Sequence, residues 1–147
     1  MKIALGSDHI GYRYKVEIGD YLENKGYECK DFGTFDEKRT SYPIYAKRVC
    51  NSVIIGDYDR GILICGTGVG MSISANKIHG IRAVVCSEPY SAVLSRQHNN
   101  TNVLAFGVRV IGIEFAKMIA DLWLASEYEG GSHQDRLDMI FELEKQH

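Results

Sequence analysis

Short runs rich in Val, Ile and Leu alternate along this chain with longer segments whose apolar residues recur at helical spacing. Runs that are apolar throughout must be buried on both faces, and the intervening segments are long enough to cross back over a sheet. The alternation therefore predicts a three-layer α/β/α sandwich on a five-stranded parallel sheet, Rossmann-like in architecture. Strands are expected near residues 2–6, 27–32, 61–65, 81–86 and 102–106, each bounded by Gly, Asn or a charged residue.

Tyr14, Ile18, Tyr21 and Leu22 define a first helix, with Gly26 where a helix C-terminus turns. Ser41, as a cap, and Pro43, in the first turn, mark a second helix that continues through Ala46, Val49 and Val53 to Gly56. Further helices are expected over 69–78, 88–98 and 111–127. From Gln134 to Lys145, Leu137, Ile140 and Phe141 keep helical spacing, but Glu144 interrupts the apolar stripe one turn later. That segment reads as a helix packing as a C-terminal arm, residues 132–147, of one domain spanning 1–147. A chain of 147 residues, 45% hydrophobic, is large enough for that.

The formal net charge is −2 and no long basic run is present, which speaks against nucleic acid or a membrane surface as partner. The N-terminus enters the strand-like Lys2–Gly6 without a signal-peptide apolar segment, and nowhere do 18 apolar residues run together. A cytoplasmic location is expected. Cys29, Cys50, Cys65 and Cys86 form no C-x-x-C pair, so neither a zinc site nor a dithiol redox centre is indicated.

Ligands of open parallel sheets bind outside the carboxyl ends of the strands, which directs attention to Ile62–Ile64 and the following Cys65-Gly66-Thr67-Gly68-Val69-Gly70. Three glycines in five residues let the backbone turn tightly and bring its N–H groups close to an anion, and the next helix adds its positive end. A P-loop is excluded because no Lys follows until Lys77. A dinucleotide fingerprint needs Gly or Ala where Met71 stands, although Glu88 lies at the spacing of a ribose-binding acid. Cys65 reads either as a small buried hydrophobe or as a thiol activated by free amides at a strand end. The other three cysteines read as core.

Asp8 and His9, after the first strand, point to the same edge as Cys65, though such a pair also serves to cap a helix. His98-Asn99-Asn100 with Arg109, and Ser132-His133-Gln134-Asp135-Arg136, are further polar clusters. His79 and His147 are given no role, and Lys77, Arg82 and Arg96 read as solvated or paired surface charges.

Taken together, Gly6-x-Asp8-His9, the Cys65–Gly70 loop, Gly80-Ile81-Arg82-Ala83, Ser95-Arg96-Gln97-His98-Asn99 and Asn102–Gly107 strongly resemble type B ribose-5-phosphate isomerases over nearly the whole chain. The resemblance implies aldose-ketose isomerisation of a sugar phosphate, with no metal or organic cofactor. Cys65 matches the base that moves a proton between C2 and C1, and His98 the acid/base that opens the furanose ring. Asp8 and Thr67 match groups on the sugar oxygens, and Asn99 a residue near the reacting end. Gly66, Gly68, Val69 and Gly70 belong to the binding loop, and His9, Arg109, His133 and Arg136 match phosphate contacts. Another branch carries a Glu base at the position of Met71, so this chain resembles the cysteine branch. It departs at Ser132, where many members have Arg. The superfamily includes isomerases of six-carbon phosphates such as allose 6-phosphate, which leaves that substrate class, and a non-catalytic sugar-phosphate-binding protein, as alternatives.

A helix over 88–98 leaves the carboxyl edge of the sheet and carries His98 roughly 15 Å away from it at 1.5 Å per residue. His98 is then out of reach of Cys65 in its own chain. The expected assembly is a homodimer with the active site shared between subunits, further pairing into a tetramer being left open.

Overall fold

A computed structural model describes residues Met1–His147. The expected apolar runs form β1 (Lys2–Ser7), β2 (Glu28–Asp31), β3 (Arg60–Cys65), β4 (Ala83–Val85) and β5 (Val103–Gly107). All neighbours are parallel, in the order β2-β1-β3-β5-β4. The helices are α1 (Tyr12–Asn24), α2 (Tyr42–Ile54), α3 (Val69–Ala75), α4 (Pro89–Asn99), α5 (Ile113–Ala125) and α6 (Ser132–Lys145). The three-layer α/β sandwich expected from the alternation is the fold observed. None of the helices is long and apolar enough to cross a membrane.

Side chains alternate across the sheet with a period of two and split the interior into two layers. Ile3, Leu5, Ile62, Ile64, Leu104 and Phe106 face α1, α4 and α5, where Trp123 is the largest buried side chain. Ala4, Leu63, Cys65, Val103 and Ala105 face α2 and α3. The strand order reverses direction between β1 and β3, which opens a crevice at their carboxyl ends, the usual ligand position in such sheets.

Gly26, at φ 98° beyond α1, and Gly56, at φ 87° beyond α2, end their helices in the left-handed region that glycine favours. Several expectations are corrected. Ser41 does precede α2 with extended backbone, but its hydroxyl makes no capping bond. Strand β4 is shorter than residues 81–86 because Ile81 turns into the α2/α3 layer and side-chain amides take over the backbone there. Asn102 Oδ1 accepts from Arg82 N at 2.8 Å, and Asn76 both donates to Ala83 O and accepts from Ala83 N at the sheet edge.

Arg96 is not a surface charge. It is buried, donates to Asn100 Oδ1 at 2.9 Å and to Thr101 O, and burial, with Arg60 and Arg82 nearby, lowers its guanidinium to about 10. Arg82 is half-buried and donates to Asn100 O at 2.9 Å. Lys15, in the first turn of α1, has no exposed side chain and places its ammonium on Asp31 at 2.6 Å and on Thr34 O. Glu144 breaks the apolar stripe of α6 for a reason: it accepts the amide of Gly80 at 3.2 Å and so pins the helix to the β4 connection.

Candidate active site

Strand β3 ends at Cys65, whose side chain is 5% exposed and belongs to the α2/α3 layer. The amide of Gly68 donates to Cys65 Sγ at 3.1 Å, which ties the thiol to the turn of the glycine loop. Gly68 has φ 82° and caps α3, and a Cβ there would lie 2.8 Å from the backbone of Phe106. A Cβ on Gly107 would lie 2.3 Å from Thr67 Cα. The loop thus rests directly on the end of β5, where Val108 N donates to Cys65 O and Arg109 N to Gly66 O, each at 3.0 Å. The amides of Gly66, Thr67, Gly70 and Met71 have no partner in the chain. Burial pushes the Cys29 thiol up to about 11, Cys50 to about 12 and Cys86 to about 11, which keeps them protonated near neutral pH and fits the core reading.

Because Ser7 pairs in register with Ile64, β1 delivers Asp8 and His9 beside this loop. Asp8 Oδ1 accepts from Ile10 N and Gly11 N at 3.0 Å, so it closes the turn before α1, whose own N-cap, Gly11, has no side-chain capping bond. His9 Nδ1 accepts from Thr40 N at 3.2 Å. The Ser7 hydroxyl is the one buried side-chain polar atom without a hydrogen-bond partner. Arg109 completes the group, its guanidinium lying over Gly66 with Nη1 3.3 Å from where a Cβ would stand. Thr67 is exposed, and its hydroxyl accepts from Val69 N at 3.3 Å.

A second group forms elsewhere. Helix α4 starts at the carboxyl end of β4, with Glu88 accepting from Ser91 N at its cap, so that carboxylate is engaged in structure. Its 11 residues descend about 15 Å to the amino edge of the sheet, where Asn102 leads into β5. His98 is in its last turn and stacks on His133 of α6, the rings 4.2 Å apart and 14° from parallel. Glu129 lies 3.6 Å from His133 and 3.9 Å from His98. Arg136 is exposed one turn further along α6 and holds Ser132 O at 3.1 Å. Exposed Asn99 lines a cavity of about 610 Å³ beneath α6, together with Ile81, Leu137 and Ile140.

The chain therefore gathers the expected site residues into two sets. Asp8, His9, Thr67, the glycine loop, Cys65 and Arg109 meet at the carboxyl edge, whereas His98, Asn99, His133 and Arg136 stand at the far end of α4. None of the four main cavities is lined by Cys65 or its loop, so the first set is an open crevice in one chain. The donor atoms of His98, Glu129 and His133 lie within 4.8 Å of one another. Near-parallel rings present their nitrogens side by side, and bonds near 2.0–2.1 Å to a common ion would require them to fan apart, so the trio is built for a shared carboxylate rather than for a metal. Glu129 escapes sequence reading. Its only signal is its place four residues before His133, across Gly130 and Gly131.

The chain is similar to known proteins along most of its length. Residues 3–140 match the ribose/galactose isomerase family. Ribose-5-phosphate isomerase B of Escherichia coli K12 is 60% identical, over 98% of this chain and 97% of that protein. The galactose-6-phosphate isomerase subunit LacB of Clostridium acetobutylicum is 42% identical, over 88% of this chain and 75% of its own length. The solved structure of Clostridium thermocellum ribose-5-phosphate isomerase B superposes with a TM-score of 0.98 at 51% identity, covering 99% of both chains. With the fold, the loop and the match extending over almost its full length, this chain belongs to the ribose/galactose isomerase family.

Proposed function

We propose that this chain, acting as one domain over 1–147, interconverts ribose 5-phosphate and ribulose 5-phosphate through a cis-enediolate. The observation that carries the reading is the Gly68 amide on Cys65 Sγ at 3.1 Å, beside a loop in which the amides of Gly66, Thr67 and Gly70 are free. Aldose and ketose differ by one proton moved between C2 and C1 and one moved between the oxygens on those carbons, so the site needs one base over the bond and donors where the oxygen becomes negative. Cys65, as thiolate, takes the C2 proton and returns it to C1. The free amides of Gly66, Thr67, Gly70 and Met71 receive the developing oxyanion, and one such donor is worth about 2.7–4 kcal/mol in other enzymes. His98 opens the furanose ring, Asp8, Thr67 and Asn99 hold sugar oxygens, and His9, Arg109, His133 and Arg136 take the phosphate. These residues do this without metal or organic cofactor.

Because the two sets stand at opposite edges of one sheet, the working site is formed by two copies, His98 of one meeting Cys65 of the other. Apolar side chains left open on α3 and α4, Val69 at 48%, Ile73 at 57% and Tyr90 at 73% exposure, favour such an interface. The protein works in the cytoplasm as a homodimer.

The test is isomerisation of ribose 5-phosphate, with exchange of the C2 proton into solvent, in metal-free buffer. Cys65→Ala should lower kcat by about 10²–10⁴-fold, the usual share of a positioned base. Normal turnover in that variant refutes the role. A six-carbon phosphate is the second reading, favoured by Ser132, which leaves no guanidinium at the start of α6. The ratio of kcat/KM between the sugars decides it.

A further inference from the structure

We infer that Glu129 is a positioning residue: its carboxylate fixes the tautomer of His98. The inference rests on the reading of His98 as the ring-opening acid/base. Glu129 sits in the turn between α5 and α6, where its amide donates to Gln97 O at 3.0 Å and ties the turn to the last turn of α4. Gly130 and Gly131, at φ 66° and 60°, then fold the chain back so that His133 stacks on His98. The carboxylate faces the Nε2 edge of both rings, 3.9 Å from His98 and 3.6 Å from His133.

A carboxylate on that edge favours the proton on Nε2 and leaves Nδ1 of the neutral ring as the lone-pair atom. Nδ1 of His98 has no partner in the chain and is the atom free to meet a sugar hydroxyl.

The other charges on the packed elements are occupied or remote. Arg96 of α4 turns inward to Thr101 O, Arg136 of α6 holds Ser132 O, and Asp138 of α6 accepts from Gln134. Asp121 of α5 is engaged by Tyr21 and Lys25. Neither Glu127 nor Asp135 comes within ion-pair distance of either ring, which leaves Glu129 as their one carboxylate.

Glu129→Gln keeps the side-chain size and the backbone bond to Gln97 while removing the charge. Its kcat should fall about five- to twentyfold, with KM changed less than about threefold. Imidazole ¹⁵N spectra provide a readout independent of turnover: His98 protonated on Nε2 in the wild type, mixed tautomers in Glu129→Gln. Glu129→Asp, which keeps the charge, should restore most of kcat and the wild-type tautomer. Wild-type kcat and tautomer in Glu129→Gln overturn the inference. Full turnover in His98→Asn would instead remove the acid/base reading beneath it, and the spectra still decide whether Glu129 sets the ring.

Discussion

The two halves of the proposed site are built by different means. At the carboxyl edge the geometry is set by backbone: the Cys65–Gly70 loop lies against β5 so closely that a single added carbon at Gly68 or Gly107 would collide with main chain. At the far end of α4 it is set by long side chains on two helices and a turn, with His98, Glu129, Asn99 and Arg136 all at least partly open to solvent. The difference separates two demands. A proton-transfer base and its oxyanion donors must hold position within fractions of an ångström, whereas groups that grip a phosphate and open a ring have to follow the substrate between cyclic and linear forms.

The sharpest way to break the comparison is to separate the halves by mutation. Cys65→Ala and His98→Asn homodimers should each lose at least about a hundredfold in kcat. Mixed and allowed to exchange subunits, they should recover about a quarter of wild-type activity, since half the dimers are hybrids with one intact site of two. No recovery, with exchange verified by mass, would place both halves of each site in one chain. Next in size, Gly107→Ala should destabilise the fold by about 1–3 kcal/mol by overpacking and lower kcat as the loop shifts, whereas Asn99→Ala should leave the melting temperature near wild type. Equal stability losses would erase the contrast between rigid and adaptable halves. The smallest change is expected from Ser132→Arg, which adds a guanidinium to the adaptable half: KM for a five-carbon phosphate should fall a few-fold, with kcat nearly unchanged. A change in kcat alone would argue against a binding role.

The strands that carry the site were readable because β1, β3 and β5 are buried on both faces and so appear as unbroken apolar runs. Cys65 and its loop were readable because close backbone approach leaves glycine as its trace. Strand β4 was overextended at both ends, since no periodicity reveals that Asn76 and Asn102 stand in for strand neighbours. Arg96 reads as a surface charge for a related reason: its letter signals a surface, and what buries it is the turn after α4, where Asn100 and Thr101 fold back to take its guanidinium. Glu129 carries meaning only once α4 and α6 bring two imidazoles to it. The separation of His98 from Cys65 could be computed in advance from helix rise, because α4 runs without a break.

The strand order has a consequence for how the protein is made. Strand β5 inserts between β3 and β4, both of which precede it in the chain, and Phe106 and Gly107 are the surface on which the Cys65 loop rests. On the ribosome, the reactive thiol and its glycines emerge before the residues that shape them. The nascent chain therefore carries Cys65 without the surface that shapes its loop until the last strand slots home, the same event that joins β4, paired only with β5, to the rest of the sheet.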